Sequence, residues 1–430
     1  MPTATHPAPH PLRALVLPVY LPSFVYAAGA AALLPVQVLL ALELGFSPAE
    51  VTAILTWIGA FAIVSSLAAG HLVDRLGDTR AVALTTAVGT AGLVGAAAAA
   101  IAGVRGAGWI LVAALTAFGL VDAVWSIARQ GLVADLASAQ VRGRAMNLYG
   151  GCQRLGRVAG PAVAAGVLLV TGPAAVLPVA AALVLVATGI LLRHRPARHT
   201  SSADEAPTSV AANDVMPQAD PGRAARRTMV LLGAGVLILS ALRTAKETLV
   251  PLWAAEGVHL PSEQVALLMA VTSSMELVLL WPSGVALDRW GRTPVVVTAM
   301  GLMSLGLCLA PWQATPAWLF AAAMLIGLGD GTGSGIIKTL GVDVAPTHGR
   351  ARFLGWWQSI ASGGSLAAPA LSGALIAAGS LGGAMGAVGL LGCLGTAWMA
   401  WWTPRLVPCR SDAAASPDPW TAQPDGAHGG

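Results

Sequence analysis

The chain has 430 residues, of which 56% are hydrophobic and only 10% charged, and its mean hydropathy is +0.72. No ordinary water-soluble domain of this size has that composition, so lipid is the solvent for most of the chain. The formal charge of +4 is therefore no argument for nucleic acid as a partner; the arginines serve as a membrane address.

Residues 1–14 are Pro-rich and lack the basic n-region and cleavage site of a signal peptide, which predicts a short cytoplasmic tail and a retained first helix. Apolar runs long enough to cross roughly 30 Å of hydrocarbon as helices follow at 15–40, 50–70, 81–103, 107–136, 145–170 and 174–192. Six more lie at 228–254, 263–286, 294–313, 316–341, 353–377 and 382–403. The runs are continuous rather than alternating, which predicts helices and not a barrel: an all-α integral membrane protein with twelve transmembrane helices. Residues 193–227 are polar, Pro- and Ala-rich and without apolar periodicity, the composition of a flexible cytoplasmic linker. The linker divides the chain into six-helix bundles at 15–192 and 228–404, and residues 405–430 form a cytoplasmic C-terminal tail.

With both termini in the cytoplasm, seventeen arginines fall in inner segments and Arg105 alone in an outer loop. That asymmetry predicts a multi-pass protein of the cell inner membrane with both termini inside. Cys152, Cys308 and Cys393 fall in predicted helices and Cys409 in the last tail, with no CxxC pair. They read as small apolar fillers, and neither disulfide, metal nor cofactor is expected.

The chain also repeats itself. GHLVDRLGDTR, Gly70 to Arg80, returns as GVALDRWGRTP from Gly284, so that Asp74-Arg75 and Gly77 are answered by Asp288-Arg289 and Gly291 at an offset of 214. At an offset of 208, Asp122, Asp135, Gly156 and Pro161 meet Asp330, Asp343, Gly364 and Pro369. This register predicts two bundles related by an axis along the membrane normal, a repeat plan of secondary transporters.

The two charged phrases, which follow the second and eighth helices, resemble the cytoplasmic-loop signature of the major facilitator superfamily, G-x-x-x-D-R-x-G-R-[RK]. The resemblance runs from Leu15 to Trp402 and is closest to the drug and metabolite efflux branches. It implies a gating loop whose acids and bases bridge helix ends. In the first half these are Gly70, Asp74, Arg75, Gly77 and Arg80 with Asp135 at the inner end of the fourth helix. In the second they are Gly284, Asp288, Arg289, Gly291 and Arg292 with Asp343. The first copy departs at Asp78, where the pattern has Arg. GRVAGPAVAAG, from Gly156, resembles a reduced antiporter signature centred on Gly160-Pro161, with small faces suited to packing against the neighbouring bundle.

Ten charged residues fall inside predicted helices: Arg129, Arg154, Arg157, Arg243, Lys246, Lys338, Asp122, Glu247, Glu276 and Asp330. Each costs at least about 2.5 kcal/mol at the bilayer centre unless it is paired or wet. None lies in the third, sixth, ninth or twelfth helix, which the resemblance places outside the central cavity. The basic six are therefore candidates for substrate binding and the acidic four for proton coupling, with Asp122 and Asp330 at matched positions. Arg243 and Glu247, four apart, suit an ion pair within one helix, and Glu276 is a candidate partner for Lys246. The surplus of two positive charges leans towards an anionic or zwitterionic cargo.

No phosphate-cradling Gly-Lys-Ser/Thr loop and no catalytic constellation occurs, so the sequence predicts neither an ATP-driven pump nor an enzyme. The expected function is a monomeric, proton-coupled antiporter that exports a small drug-like compound or metabolite by alternating access, in contact with membrane lipid. An uptake or facilitative carrier for an organic anion is the alternative, and a non-transporting membrane sensor a third reading.

Overall fold

The computed structural model of the chain describes residues 15–136, 142–194, 223–346 and 350–407. Among these, every regular element is helical. The first half contains α1 (Leu21–Glu43, entered through a π-helical turn at Val16–Tyr20), α2 (Pro48–Leu76), α3 (Asp78–Ile101), α4 (Ala107–Leu136), α5 (Arg142–Leu168) and α6 (Val176–Arg193). The second half contains α7 (Arg223–Glu256), α8 (Ser262–Val278), α9 (Leu280–Arg289), α10 (Arg292–Leu309), α11 (Pro316–Thr332), α12 (Ile336–Val344), α13 (Arg350–Ala378) and α14 (Leu381–Leu406). They form twelve spans in two six-helix bundles, because α8 with α9 and α11 with α12 are each one interrupted crossing.

Local chemistry sets the boundaries. The Ser47 side chain accepts from the Glu50 amide while the Glu50 carboxylate accepts from the Ser47 amide, and Pro48 opens α2 where no N–H is needed. Gly77 (φ 74°) and Gly291 (φ 82°) make the tight turns inside the two charged phrases, a conformation that only glycine adopts at low cost. Gly70 and Gly284 lie instead within α2 and α9.

The eighth and tenth crossings, expected as unbroken runs, are interrupted. Pro282 has no N–H for the carbonyl of Val278, and the helix breaks there, at Leu279. In the tenth crossing Gly335 adopts the left-handed conformation (φ 81°) and separates α11 from α12. The glycines before it seat α11 between two neighbours. A Cβ on Gly327 would lie 2.4 Å from the Thr272 carbonyl oxygen of α8, and one on Gly329 2.8 Å from the Ala299 carbonyl oxygen of α10.

The internal repeat extends to packing. Gly160 of α5 lies against α1, where a Cβ would approach the Ala28 carbonyl oxygen to 2.6 Å; its counterpart Gly364 of α13 lies against α7, 2.1 Å from the Leu237 carbonyl oxygen. Gly156 likewise faces Phe24 and Ala27, and Pro161 is buried. These small residues, expected to face the neighbouring bundle, thus seat α5 on the first helix of its own. Four of the spans without mid-helix charge, α3, α6, α10 and α14, pack mainly within their own bundles, α3 against α4 and α6, and α10 against α11 and α14.

The bundles meet along α2 with α13 and α5 with α8. On the side of the α1–α2 loop, α2 and α13 come close enough that a Cβ on Gly373 would lie 2.5 Å from the Thr52 hydroxyl, and one on Gly59 3.6 Å from Leu366. At this face the two bundles touch through α2 and α13. Cys152, Cys308 and Cys393 are free thiols, and Cys409 lies outside the described residues.

Candidate functional site

The mid-helix charges collect into two groups. The larger lies between the bundles, at the broken tenth crossing. Asp330, next to the break and 7% exposed at its side chain, receives Arg243 Nε at 2.8 Å and the Lys246 ammonium, both from α7. Lys246 Nζ also lies 3.6 Å from Glu276 of α8. Arg243 Nη2 donates at 2.8 Å to the Gly333 carbonyl, which also accepts from the Ile336 amide at 3.2 Å, at the break where α11 stops.

Arg243 and Glu247 therefore do not pair with each other, although their spacing permits it. Each turns to another helix: Arg243 to Asp330, and Glu247 to Arg157 of α5, in the opposite bundle. A second tie between bundles runs from Arg154 Nη1 to the Ser334 hydroxyl inside the break. The expected pairing of Lys246 with Glu276 is present, with Asp330 as an additional partner.

Beside this network lies a cavity of about 290 Å³. Arg154, Arg243 and Lys338 line it together with Ser240, Gln358, Ser362 and Ser365, and among the described residues no carboxylate is in its wall. The three acids of the network are turned onto Arg157, Arg243 and Lys246, so Arg154 and Lys338 reach the cavity without a carboxylate within ion-pair distance among the described residues. An electropositive cavity between the bundles can hold an anion through planar guanidinium forks and one ammonium.

The smaller group is inside the first bundle. Asp122 accepts a hydrogen bond from the Tyr26 hydroxyl at 3.0 Å, and no cation lies within ion-pair distance of it among the described residues. Tyr26 stacks on Trp125 at 4.3 Å, and the Arg129 guanidinium sits 4.4 Å from the Trp125 ring centroid. Arg129 is 2% exposed and donates to the Pro18 carbonyl at 2.7 Å. That carbonyl is available because Pro22, four residues on, has no N–H to offer it. With Ser23, Ser126, Tyr149 and Gln153, these residues line a second cavity of about 80 Å³. Arg129, expected at the substrate, is thus separated from the larger cavity. Asp122 and Asp330, matched in sequence, differ in surroundings: one faces a phenol, the other two cations.

The charged turns differ between halves as well. In the second, Arg292 grips Asp343 in a fork, Nε to Oδ2 at 2.7 Å and Nη2 to Oδ1 at 3.4 Å, and Nη1 donates to the Leu287 carbonyl at 3.0 Å. Arg289 is exposed. The first half has Asp78 in the place of Arg292, so the same fork cannot form there: an acid does not attract Asp135. Asp74, Arg75 and Arg80 are exposed, Asp74 in the last turn of α2, while Asp78 opens α3. The side chains of Asp135 and Asp288 lie outside the described residues. No group of His, Cys, Asp and Glu suited to a metal ion occurs among the described residues.

Tyr26 and Tyr149 escaped the sequence reading because a phenol carries no charge to account for in a membrane. A signal was present: the chain has only three tyrosines, and Tyr20, Tyr26 and Tyr149 all lie on the π-helical turn, α1 and α5 of the first bundle.

Comparison with known proteins agrees with this architecture. Solved structures with the same fold include a POT family transporter in complex with a thioalcohol-conjugated peptide (TM-score 0.70, 13% identity, covering 92% of this chain and 97% of that one). Another is a POT family transporter in complex with 5-aminolevulinic acid (TM-score 0.68, 14% identity, covering 95% and 98%). A third is the peptide transporter POT in complex with sulfate (TM-score 0.69, 14% identity, covering 95% and 96%). No curated protein matches the sequence significantly. The profile of the Major Facilitator Superfamily matches residues 19–245 and 232–424, nearly the whole chain. Twelve spans in two repeated bundles around a charged central cavity are what that match leads one to find, and the chain belongs to the Major Facilitator Superfamily, as a membrane transporter rather than an enzyme.

Proposed function

We propose that the protein is a proton-coupled secondary carrier for a small organic anion, which it binds between the bundles at Arg154, Arg243 and Lys338. The observation that carries this reading is the 290 Å³ cavity with three basic side chains and, among the described residues, no carboxylate in its wall. An amphipathic drug would call for a wall dominated by apolar and aromatic groups. Among the described residues, the apolar side chains lining this cavity are Ile337 and Ala361, beside guanidinium, ammonium, hydroxyl and amide groups. The lining thus favours an anionic metabolite over a drug-like cargo.

Asp122 is the carboxyl we assign to the proton. Asp330 is held between Arg243 and Lys246, so protonating it would strip two cations of their partner, whereas Asp122 has only a phenol to lose. In the proposed cycle the bundles rock about the central site. The face where α2 and α13 touch is the external one, following the arginine distribution, and the monomer in the cytoplasmic membrane is the working unit.

Transport into proteoliposomes tests this reading. Radiolabelled mono- and dicarboxylates and phosphate monoesters should accumulate under an imposed proton gradient, and reversing the gradient distinguishes uptake from export. Arg154→Gln and Lys338→Gln should each abolish accumulation. Equal transport of cationic and neutral compounds by the wild-type protein would refute anion selectivity.

A further inference from the structure

Away from the central cavity, the seam where α7 begins and α14 ends is built unlike its counterpart in the first bundle. We propose that this seam binds the phosphate headgroup of an anionic membrane phospholipid. Arg226 and Arg227 stand exposed on the first turns of α7, and Arg405 on the last turn of α14. Trp398, Trp401 and Trp402 lie on the last turns of α14, two of them beside these arginines. The Trp398 indole donates to the Leu231 carbonyl at 2.7 Å and so ties the two helices together at this level. The Arg227 guanidinium lies 5.9 Å from the Trp402 ring centroid, and that of Arg405 3.7 Å from the Trp401 ring centroid.

Neither helix supplies a counter-charge here: α7 has no Asp or Glu before Glu247, and α14 has none at all. A guanidinium stacked on an indole spends its flat face on the ring; Arg405 also donates from Nη1 to the Trp401 carbonyl, and its remaining N–H groups, with those of Arg227, are left for an acceptor such as a phosphate. The depth fits a lipid. Trp401 is 59% exposed on the rim of helices that are otherwise apolar, the level at which indoles sit among headgroups. A headgroup there can meet the arginines while its acyl chains run down the exposed apolar surface below, including Leu237 and Leu394.

Among the described residues, the equivalent seam of the first bundle, between the start of α1 and the end of α6, carries Arg193 and Tyr20 and no tryptophan; Arg13 lies outside the described residues. Orientation by positive charge alone would require arginines in both seams and tryptophans in neither. The second bundle has acquired an aromatic and basic cradle that transport through the centre does not need.

The test uses the full-length protein in nanodiscs of phosphatidylcholine doped with phosphatidylglycerol, with retained lipids counted by native mass spectrometry after release into detergent. Wild type should retain phosphatidylglycerol over phosphatidylcholine. Surface attraction of this kind is worth about fivefold per arginine, so R226Q/R227Q/R405Q should lower the preference roughly 100-fold. The first-bundle variant R75Q/R80Q/R193Q should keep the tightly held lipid. Thermal unfolding in pure phosphatidylcholine identifies any variant that fails to fold, and R405Q alone, with a severalfold loss, then stands in for the triple change. Equal retention of the two lipids by wild type, equal loss in both triple variants, or full displacement by millimolar inorganic phosphate would overturn the assignment.

Discussion

Asp330→Asn should be among the most destabilising single changes at the central site. Lys246 is 4% exposed at its side chain and has two carboxylates within reach, Asp330 and, at 3.6 Å, Glu276. Neutralising Asp330 leaves that buried ammonium with the more distant partner and takes from Arg243 its only carboxylate, at 2.8 Å. Removing one member of a buried pair costs about 3–5 kcal/mol, because the remaining charge stays out of water. Glu247→Gln provides the contrast. It breaks the tie to Arg157, but those side chains are 26% and 51% exposed, so solvent takes over and about 0–1 kcal/mol is expected. Lys246→Met in the Asp330→Asn background removes the stranded ammonium and should recover much of the loss. The assay is reversible unfolding by SDS followed through tryptophan fluorescence. If Asp330→Asn costs no more than Glu247→Gln, or Lys246→Met recovers nothing, the buried-pair reasoning is wrong.

Gly364→Ala should perturb folding more than a helix-favouring substitution normally does, since its Cβ would meet the Leu237 carbonyl oxygen at 2.1 Å; monodisperse yield on size exclusion reports the loss, and a wild-type yield would contradict the packing of α13 on α7. Asp122→Asn should abolish proton-driven accumulation yet leave anion exchange intact, since the amide can keep the hydrogen bond to Tyr26 without carrying a proton. Unchanged driven transport would remove Asp122 from the coupling scheme. Arg292→Gln breaks the fork to Asp343 and should loosen the end of α12, seen as faster amide hydrogen exchange over residues 336–344; exchange at the wild-type rate would show that the fork restrains nothing there.

The parts of this account legible in the sequence are those that depend on composition and register. Among the described residues, length and hydropathy identify ten of the spans; the fifth, rich in arginine, and the eighth, broken at Leu279, stand out less and are placed by the repeat as well. The repeat was readable because Asp74-Arg75 and Asp288-Arg289 stand in the same frame. Mid-helix charges confined to five of the twelve spans, and absent from the third, sixth, ninth and twelfth, point to a central polar region, and Arg154, Arg243 and Lys338 line a cavity there. Pairings were not legible. The spacing of Arg243 and Glu247 says that they can meet on one helix, whereas which helix approaches from outside is a tertiary matter, and Asp330 and Arg157 win. Arg129 was read as a cavity charge because nothing marked its true acceptor, a carbonyl that Pro22 leaves free. The break in the eighth crossing did leave a mark in Pro282, obscured by the apolar residues around it.

The most direct test of an anion site between the bundles is ligand-induced thermal stabilisation of the purified protein across organic anions, cations and neutral compounds at two pH values. Small anions alone should stabilise the protein, with affinity falling about tenfold or more in Arg154→Gln and Lys338→Gln, as expected for loss of a charge-assisted hydrogen bond. Stabilisation by lipophilic cations, undiminished in both variants, would contradict it.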